Sequence, residues 1–376
     1  MYDVAVVGAG PAGSAAALSA LRARPDARVL LLDRSVFPRD KSCGDGIAPH
    51  ALDELARLGA AHVLDDRVPV RRMRLVSPRG AEAATVLRRP DYVVPREVLD
   101  ARLVFAAVAR GAELRQHAVR RMDVRRDHVV LDGEIAARVV IGCDGANGVV
   151  RRQLGVARQE ASTVAVAVRG YVPWATEDPE QVIVMDGRDW PAYAWRFDAG
   201  DGTSNVGFGM LLPSLRSAAR PREALHQRLV ELLPEASGAQ RLRSHHLPLS
   251  TGRPRQQAGR VLLAGDAASL VNPLTGEGIF YALLSGRLAG AAVTAADPGL
   301  AFRDALEREL GRHLVHTSLL ARITANQRVL DAGVRAAGRR PDAMDALVEV
   351  GLGRGLITAP LVRALALEAG RSLLRR

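Results

Sequence analysis

The spacing of apolar and polar positions changes period several times along the chain, and each change marks a switch between two kinds of architecture. Tyr2–Val7 and Arg28–Asp33 are apolar runs of strand length separated by an Ala-rich stretch, which predicts strand, turn, helix, strand. A loop crowded with turn formers follows from Ser35 to Gly46, then a helix from Pro49 to Leu58 that Gly59 stops. Val70–Val76 and Ala83–Val94 alternate like strands outside any βαβ unit, so they begin a second sheet. Pro95 opens a helix to about Arg110, Val119–Val124 and His128–Leu131 read as a hairpin, and Ala137–Gly142 is a buried strand ending in Cys143-Asp144-Gly145. The chain has then returned to the first sheet.

Between Ser162 and Pro248 the period is that of strands again: Thr163–Val172, Gln181–Met185, Ala192–Phe197, Ser204–Leu211 and His245–Leu249, with one helix at Arg222–Leu233. Arg260–Asp266 returns once more to the first sheet, and the glycine-rich Asn272–Ile279 segment opens a long helix through Ala296. The remainder, Leu300 to Arg376, has helical periodicity; its last segment, Gly355–Leu374, is apolar on one side and arginine-bearing on the other, with Pro360 interrupting. The expected fold is therefore α/β. Residues 1–69, 95–160 and 255–300 form a Rossmann-like domain, interleaved with a mostly antiparallel sheet domain of residues 70–94 and 161–254, before a helical C-terminal segment 301–376.

The first turn carries chemistry. Gly8 permits the tight turn, Gly10 lets backbone approach a pyrophosphate, and Gly13 lets helix pack on strand, so the helix N-terminus faces phosphate. Asp33 lies 20 residues beyond Gly13, where a carboxylate accepts from a ribose 2′-OH and disfavours a 2′-phosphate. The unit binds a dinucleotide, but it does not choose between flavin and nicotinamide.

Charge adds less than its size suggests. The net charge is +11, yet Lys41 is the single lysine, aromatics make up 4%, and the arginines are spread through the chain, which argues against a nucleic-acid face. Two cysteines, Cys43 and Cys143, fit neither a disulfide framework nor a zinc site and suit a reducing cytoplasm. His313 and His316 have helical spacing but no third ligand, so no metal is expected. No apolar run reaches transmembrane length; the last helix either packs on the core or lies on an anionic membrane. Trp174 reads as core.

Together, Gly8-x-Gly10-x-x-Gly13 with Asp33, Asp144-Gly145, and Gly265-Asp266 with the Pro273 loop resemble the FAD-binding domain of the p-hydroxybenzoate hydroxylase-type flavoproteins and geranylgeranyl reductases. The Cys43-Gly44-Asp45-Gly46 loop, Tyr193-Ala-Trp195-Arg-Phe197 and Asn272–Ile279 resemble the geranylgeranyl reductase branch. Asp33 replaces that branch's commoner Glu, and Asp198 stands where a proline is usual.

The resemblance implies FAD as cofactor, with Gly8, Gly10, Ala12 and Gly13 at the pyrophosphate, Asp33 at the adenosine ribose and Arg34 over the adenine. Arg96 is implied at the pyrophosphate or ribityl region, Val119 at the adenine, Asp266 at the ribityl hydroxyls, and Asp144, Gly265 and Pro273 among the cofactor contacts. Gly276, Gly278 and Ile279 point N–H groups at the flavin N1–C2=O edge, and Cys43, Gly44 and Gly46 border its ring.

The Cys43 thiol is either a proton donor beside the flavin or a small packing residue. Tyr193, Trp195 and Phe197 either line a substrate pocket or fill core, and Lys41 with Asp45 reads as a local loop ion pair.

The activity implied is FAD-dependent hydride transfer to or from a carbon–carbon bond of a hydrophobic prenyl or natural-product molecule. Two alternatives share the fold: a monooxygenase working through flavin hydroperoxide, and a non-redox scaffold. No Trp-x-Trp-x-Ile-Pro halogenase motif is present, and no second glycine fingerprint, so a nicotinamide cofactor binds transiently or a separate reductase supplies electrons. Substrate, electron donor and oligomeric state are open at this stage.

Overall fold

The protein is seen here as a computed structural model that describes residues 1–215 and 219–374; the last two positions of the expected C-terminal helical stretch lie outside them. Two sheets carry the molecule. In the first, the strands run in the order Glu113–Gln116, Val29–Asp33, Tyr2–Val7, Ile135–Gly142, Val129–Leu131, Met122–Val124, with Val261–Leu263 also pairing on Ile135–Gly142. Its central pairings are parallel, and the Met122–Leu131 hairpin is added antiparallel. The edge strand Glu113–Gln116 was not anticipated, because exposed and charged positions hide its period.

Against this sheet the Pro11–Ala23 helix packs on the Ile279–Ala292 helix, the two meeting through alanine and glycine faces. The second helix ends at Ala292 rather than Ala296. Both begin at the same cavity, so two helix N-termini with their partial positive charge face one space. A Cβ at Gly13 would collide with the Gly8 carbonyl, and Gly8 has φ +98°, so this turn closes only with glycine at both positions.

The second sheet has eight strands in the order Gln240–Pro248, Val164–Pro173, Thr203–Leu211, Ala192–Asp198, Glu180–Met185, Pro69–Val76, Glu82–Val93, Gly46–Ile47. It is mostly antiparallel; among the described residues Glu180–Met185 beside Pro69–Val76 runs parallel. The two-residue strand Gly46–Ile47, read from the sequence as loop, stitches the Ser35–Gly46 loop to this sheet.

Alternation divides the sheet's faces. Val166, Val168, Ala192, Ala194, Val206, Phe208 and Met210 pack under the Pro221–Leu232 helix. Phe208 is fully buried, and truncating it to alanine costs about 3–5 kcal/mol. The alternate residues, Ala165, Ala167, Ile183, Met185, Tyr193 and Trp195, turn toward a cavity.

The C-terminal stretch is helical and packs on both domains. Its first helix, Pro298–Ile323, is capped by Asp297 and buries Phe302, Leu310 and Leu314 in the first domain's core. Gln327–Arg339 and Pro341–Leu352 instead pack Val334, Ala337 and Met344 on Met73, Leu75, Ala83 and Leu87 of the second sheet. Pro360 sits in the first turn of the Ala359–Leu374 helix and does not interrupt it, since a first-turn proline lacks only an N–H that has no helical acceptor. That helix packs on Gln327–Arg339, with Leu361 and Ala364 buried.

Candidate functional site

At the glycine turn, Ala9 N–H donates to Asp33 Oδ2 (2.9 Å) and Ser35 N–H to Asp33 Oδ1 (2.9 Å), which fixes the carboxylate at the end of its strand. Two guanidinium groups converge in front of the turn: a Cβ placed on Gly10 would lie 3.7 Å from Arg39 Nη2 and 3.7 Å from Arg96 Nη2. Arg96 is held by a two-pronged pair to Asp100 one helical turn on (Nε–Oδ1 2.6 Å, Nη2–Oδ2 2.8 Å), and Arg39 Nη1 lies 3.1 Å from the same carboxylate. Burial disfavours the Arg96 charge, but Asp100 more than offsets it, so the guanidinium stays charged. Asp100 and Arg39 were missed in the sequence; the i, i+4 Arg–Asp spacing was the signal available for the first, and none marked the second.

The Ser35–Gly46 loop crosses the same space and is tied down at both ends. Asp40 pairs with buried Arg169 of the second sheet, and Arg243 Nε lies 3.0 Å from Asp40 Oδ2. The expected Lys41–Asp45 pair does not form. Lys41 Nζ reaches Asp266 Oδ2 at 3.2 Å, while Asp45 turns inward and accepts from Tyr171 Oη (2.6 Å) and Asn205 Nδ2 (2.8 Å). Its positive φ of 64° points the side chain away from the lysine.

Burial pushes the Asp45 carboxyl up to about 6 against the pull of Tyr171, Arg169 and Asn205. For Asp266 burial is outweighed by Lys41 and His245, which hold the carboxyl below the ordinary carboxylate range.

Asn205 is the hub of this wall. It accepts from Trp195 Nε1 (2.8 Å) and donates to both the Cys43 carbonyl (2.9 Å) and Asp45, so the tryptophan and the cysteine-glycine loop are fixed to each other. Tyr193, Trp195 and Phe197 form a tilted ladder with ring centroids 5.9 and 6.3 Å apart, and Tyr193 Oη donates to the Thr275 carbonyl of the Pro273 loop. Asp198, where the resemblance fails, anchors the strand from its other face: its carboxylate accepts from Arg196 Nε, Ser204 Oγ and Glu180 N–H. Trp174 is half-buried and carries the Arg196 guanidinium 4.2 Å from its ring centroid, so it is not core.

Burial raises the Cys43 thiol above its usual range despite nearby Arg96, so it is a neutral thiol. Cys43 and Cys143 are both free. His313 is buried between Tyr281 Oη (2.6 Å) and the Gly355 carbonyl (2.7 Å), and His316 accepts from Ile357 N–H, so both histidines serve the C-terminal packing.

The glycine turn, Arg39 and Arg96, the Ser35–Gly46 loop and the aromatic ladder border one cavity of about 1140 Å3. Gly8, Gly10, Ala12, Asp33, Arg34, Cys43, Gly44, Gly46, Arg96 and Val119 lie on its wall, as do Asp144, Asp266, Pro273, Gly276, Gly278, Ile279, Tyr193, Trp195 and Phe197. Val119 reaches it from a loop, because the hairpin strand starts only at Met122. Gly13 and Gly265 do not line it: Gly13 sits behind the turn, and a Cβ on Gly265 would press 3.0 Å from Ala12 Cβ.

The cavity has two characters. One end is glycine backbone, arginine and carboxylate; the other is an apolar chamber of Met73, Leu75, Ile183, Met185, Val334 and Leu347 between the second sheet and the C-terminal helices. The helix share of that chamber was missed, since helical periodicity alone does not tell a core face from a pocket wall. Where the ends meet, Asp91 and Glu277 line the wall, and neither was singled out in the sequence.

The Pro273 loop hangs from the same C-terminal helices. Asn272 Nδ2 donates to the Val350 (3.2 Å) and Gly351 (3.1 Å) carbonyls, and Thr275 Oγ1 donates to Gly351 (2.6 Å).

The polar end fits a flavin dinucleotide. Two cations and a helix N-terminus meet at Gly10, as a diphosphate requires, and Asp144 Oδ1 and Ser244 Oγ line the cavity without protein partners. Asp33 and Asp266 place carboxylates at separate points of the same wall. The space and the donor set define the cofactor site of a dinucleotide-binding protein.

Residues 1–284 match the FAD binding domain family, and the chain belongs to it, as an FAD-dependent oxidoreductase of the geranylgeranyl reductase type. It is 37% identical over 316 residues to menaquinone reductase of Mycolicibacterium smegmatis, covering 78% of this chain and 76% of the relative. Digeranylgeranylglycerophospholipid reductase 2 of Methanopyrus kandleri is 32% identical over 313 residues, covering 77% of this chain and 76% of that one.

Among solved structures, a geranylgeranyl bacteriochlorophyll reductase-like protein of Thermoplasma acidophilum superposes with a TM-score of 0.80 at 20% identity, covering 100% of this chain and 98% of its own. A flavin-dependent brominase superposes with a TM-score of 0.74 at 18% identity, covering 100% and 98%, which speaks to the shared fold alone.

Proposed function

We propose that this enzyme reduces a carbon–carbon double bond in a long isoprenoid chain, of the kind borne by a prenylated quinone or a prenyl lipid. The observation that carries the reading is the apolar chamber continuous with the cofactor end of the cavity: its aliphatic wall suits a chain that offers nothing to hydrogen-bond. The names of the relatives, a menaquinone reductase and a digeranylgeranylglycerophospholipid reductase, point to the same substrate class.

Bound FAD supplies the hydride. The chain's own residues do the rest. Arg39, Arg96 and the Pro11–Ala23 helix N-terminus hold the diphosphate, Asp33 and Asp266 accept from hydroxyls, and the Gly276–Ile279 backbone favours negative charge at the ring edge. Trp195 and Phe197, locked through Asn205 and Gly44, orient the alkene and exclude water.

No helix among the described residues is long and apolar enough to cross a membrane. Val315, Leu319 and Ile323 are exposed at four-residue spacing on one helix face and give the protein a place to meet a lipid-held substrate.

The test is anaerobic. The holoenzyme, reduced with dithionite, is mixed with a prenylated quinone or prenyl lipid; recovery of oxidised flavin absorbance with a saturated product supports the reading. No recovery, together with a transient C4a-adduct band on admitting air, would replace it with oxygenation.

A further inference from the structure

Reduction of a double bond needs a proton as well as a hydride, and the residues at the junction of the two cavity ends include a group suited to give it. We propose that Asp91 is the catalytic acid that protonates the second alkene carbon, with Glu277 as the second carboxyl of the pair. This rests on the reductase reading above.

Asp91 lies on the Glu82–Val93 strand, is 1% exposed, borders the cavity, and its Oδ1 has no hydrogen-bond partner. The groups facing it are Glu277 from the Pro273 loop, the Gln181 amide from the Glu180–Met185 strand of the same sheet and Arg89 of its own strand. Gln181 pairs in register with Met73, whose side chain enters the apolar chamber, and lies 3.8 Å from where a Gly46 Cβ would be, on the cysteine-glycine loop. Asp91 thus stands between the cofactor side and the chamber.

The two carboxyls are unequal. Glu277 Oε1 accepts from Phe280 N–H at 2.8 Å at the start of the Ile279–Ala292 helix, so it is the better place for a negative charge. Burial and the Glu277 charge push Asp91 up to about 8, and burial pushes Glu277 to about 7, so the pair keeps a proton near neutrality and Asp91 is its holder.

Two rival donors are less apt. The Asp45 carboxylate is surrounded by Tyr171, Asn205 and Arg169, which stabilise its anion, and Cys43 is a thiol raised by burial, a weaker acid than a carboxyl.

The step balances. Hydride from reduced FAD brings two electrons and forms one C–H bond as the π bond breaks; the Asp91 O–H bond breaks and its proton forms the second. Asp91 is left as carboxylate and regains a proton from water, and a two-electron donor, a nicotinamide or a separate reductase, reloads the flavin.

The experiment uses holoenzyme, wild type, Asp91→Asn and Glu277→Gln. Infrared difference spectra across a neutral pH titration should show a protonated carboxyl in wild type that is missing in Asp91→Asn and that titrates at lower pH in Glu277→Gln. Flavin content and reduction by dithionite should match wild type in Asp91→Asn. Reoxidation of the reduced flavin by a prenyl lipid that carries no quinone ring, with its saturated product counted, should fall about 100-fold, the usual effect of losing a general acid. In Glu277→Gln, the alkaline limb of the same rate should move to lower pH, which keeps the idea testable should Asp91→Asn fail to fold. An unchanged carboxyl signal, or a rate within about threefold of wild type in Asp91→Asn, overturns the proposal alone; a wild type that reduces no isoprenoid overturns the reductase reading and the proposal together.

Discussion

Lys41 Nζ lies 3.2 Å from Asp266 Oδ2, joining residues 225 positions apart across the cofactor end of the cavity. Lys41→Met should leave a buried carboxylate without its cation and cost about 1–3 kcal/mol, less than a fully buried pair because the lysine is part exposed. Asp266→Asn in the same chain should return most of that loss. A double-mutant cycle by urea unfolding of the apoprotein measures the coupling, and additive single losses would contradict it. The Asp266 contribution is present above the unfolded carboxyl value and lost as acid protonates the group, so the cycle should shrink on acidification below pH ~4.

Asp45 behaves in the opposite sense. Its folded value, raised by burial to about 6, exceeds the unfolded one, so its favourable contribution is complete below the unfolded value and declines as pH rises through 6. Relative to Asp45→Asn, the apoprotein should lose on the order of 3 kcal/mol between pH ~4 and ~7. Melting curves of both proteins across that window check the sign; parallel curves would refute it.

The apolar chamber makes a steric prediction. Met185→Trp places a large ring where a chain would run, so turnover of long isoprenoids should drop at least ~10-fold while flavin content and dithionite reduction stay at wild-type levels. A shorter prenyl substrate should be affected less, and equal losses for both lengths would show that the chamber does not hold the chain.

Cys43 should react slowly. With its thiol raised by burial, alkylation by iodoacetamide at pH ~7 should run at least ~10-fold slower than that of a free cysteine, followed by mass spectrometry of the intact chain. Fast modification at Cys43 would mean a thiolate and reopen its role as a reactive group.

Local signals account for what could be read in advance. The glycine turn with Asp33, the Asp144 and Asp266 strand ends and the Tyr193–Phe197 ladder are contiguous patterns, and most strands of both sheets could be placed within a few residues, though Glu113–Gln116 and Gly46–Ile47 were not seen and Gln240–Pro248 was seen only from His245. The partners that hold them are not contiguous. Nothing near Lys41 points to Asp266, nothing near Asp45 points to Tyr171 and Asn205, and Asp91 sits in a strand that reads as ordinary. The C-terminal helices were legible as helices, but whether Val334 and Met344 face a core or a chamber depends on Met73 and Leu75, more than 200 residues away.

Asn272 and Thr275 hang the Pro273 loop on the backbone of Val350 and Gly351, at the end of the helix whose Leu347 and Val348 wall the chamber. The cofactor-side loop and the chamber wall are thereby one connected piece of structure, so a substitution that loosens the Val350–Gly351 turn should disturb both ends of the cavity at once.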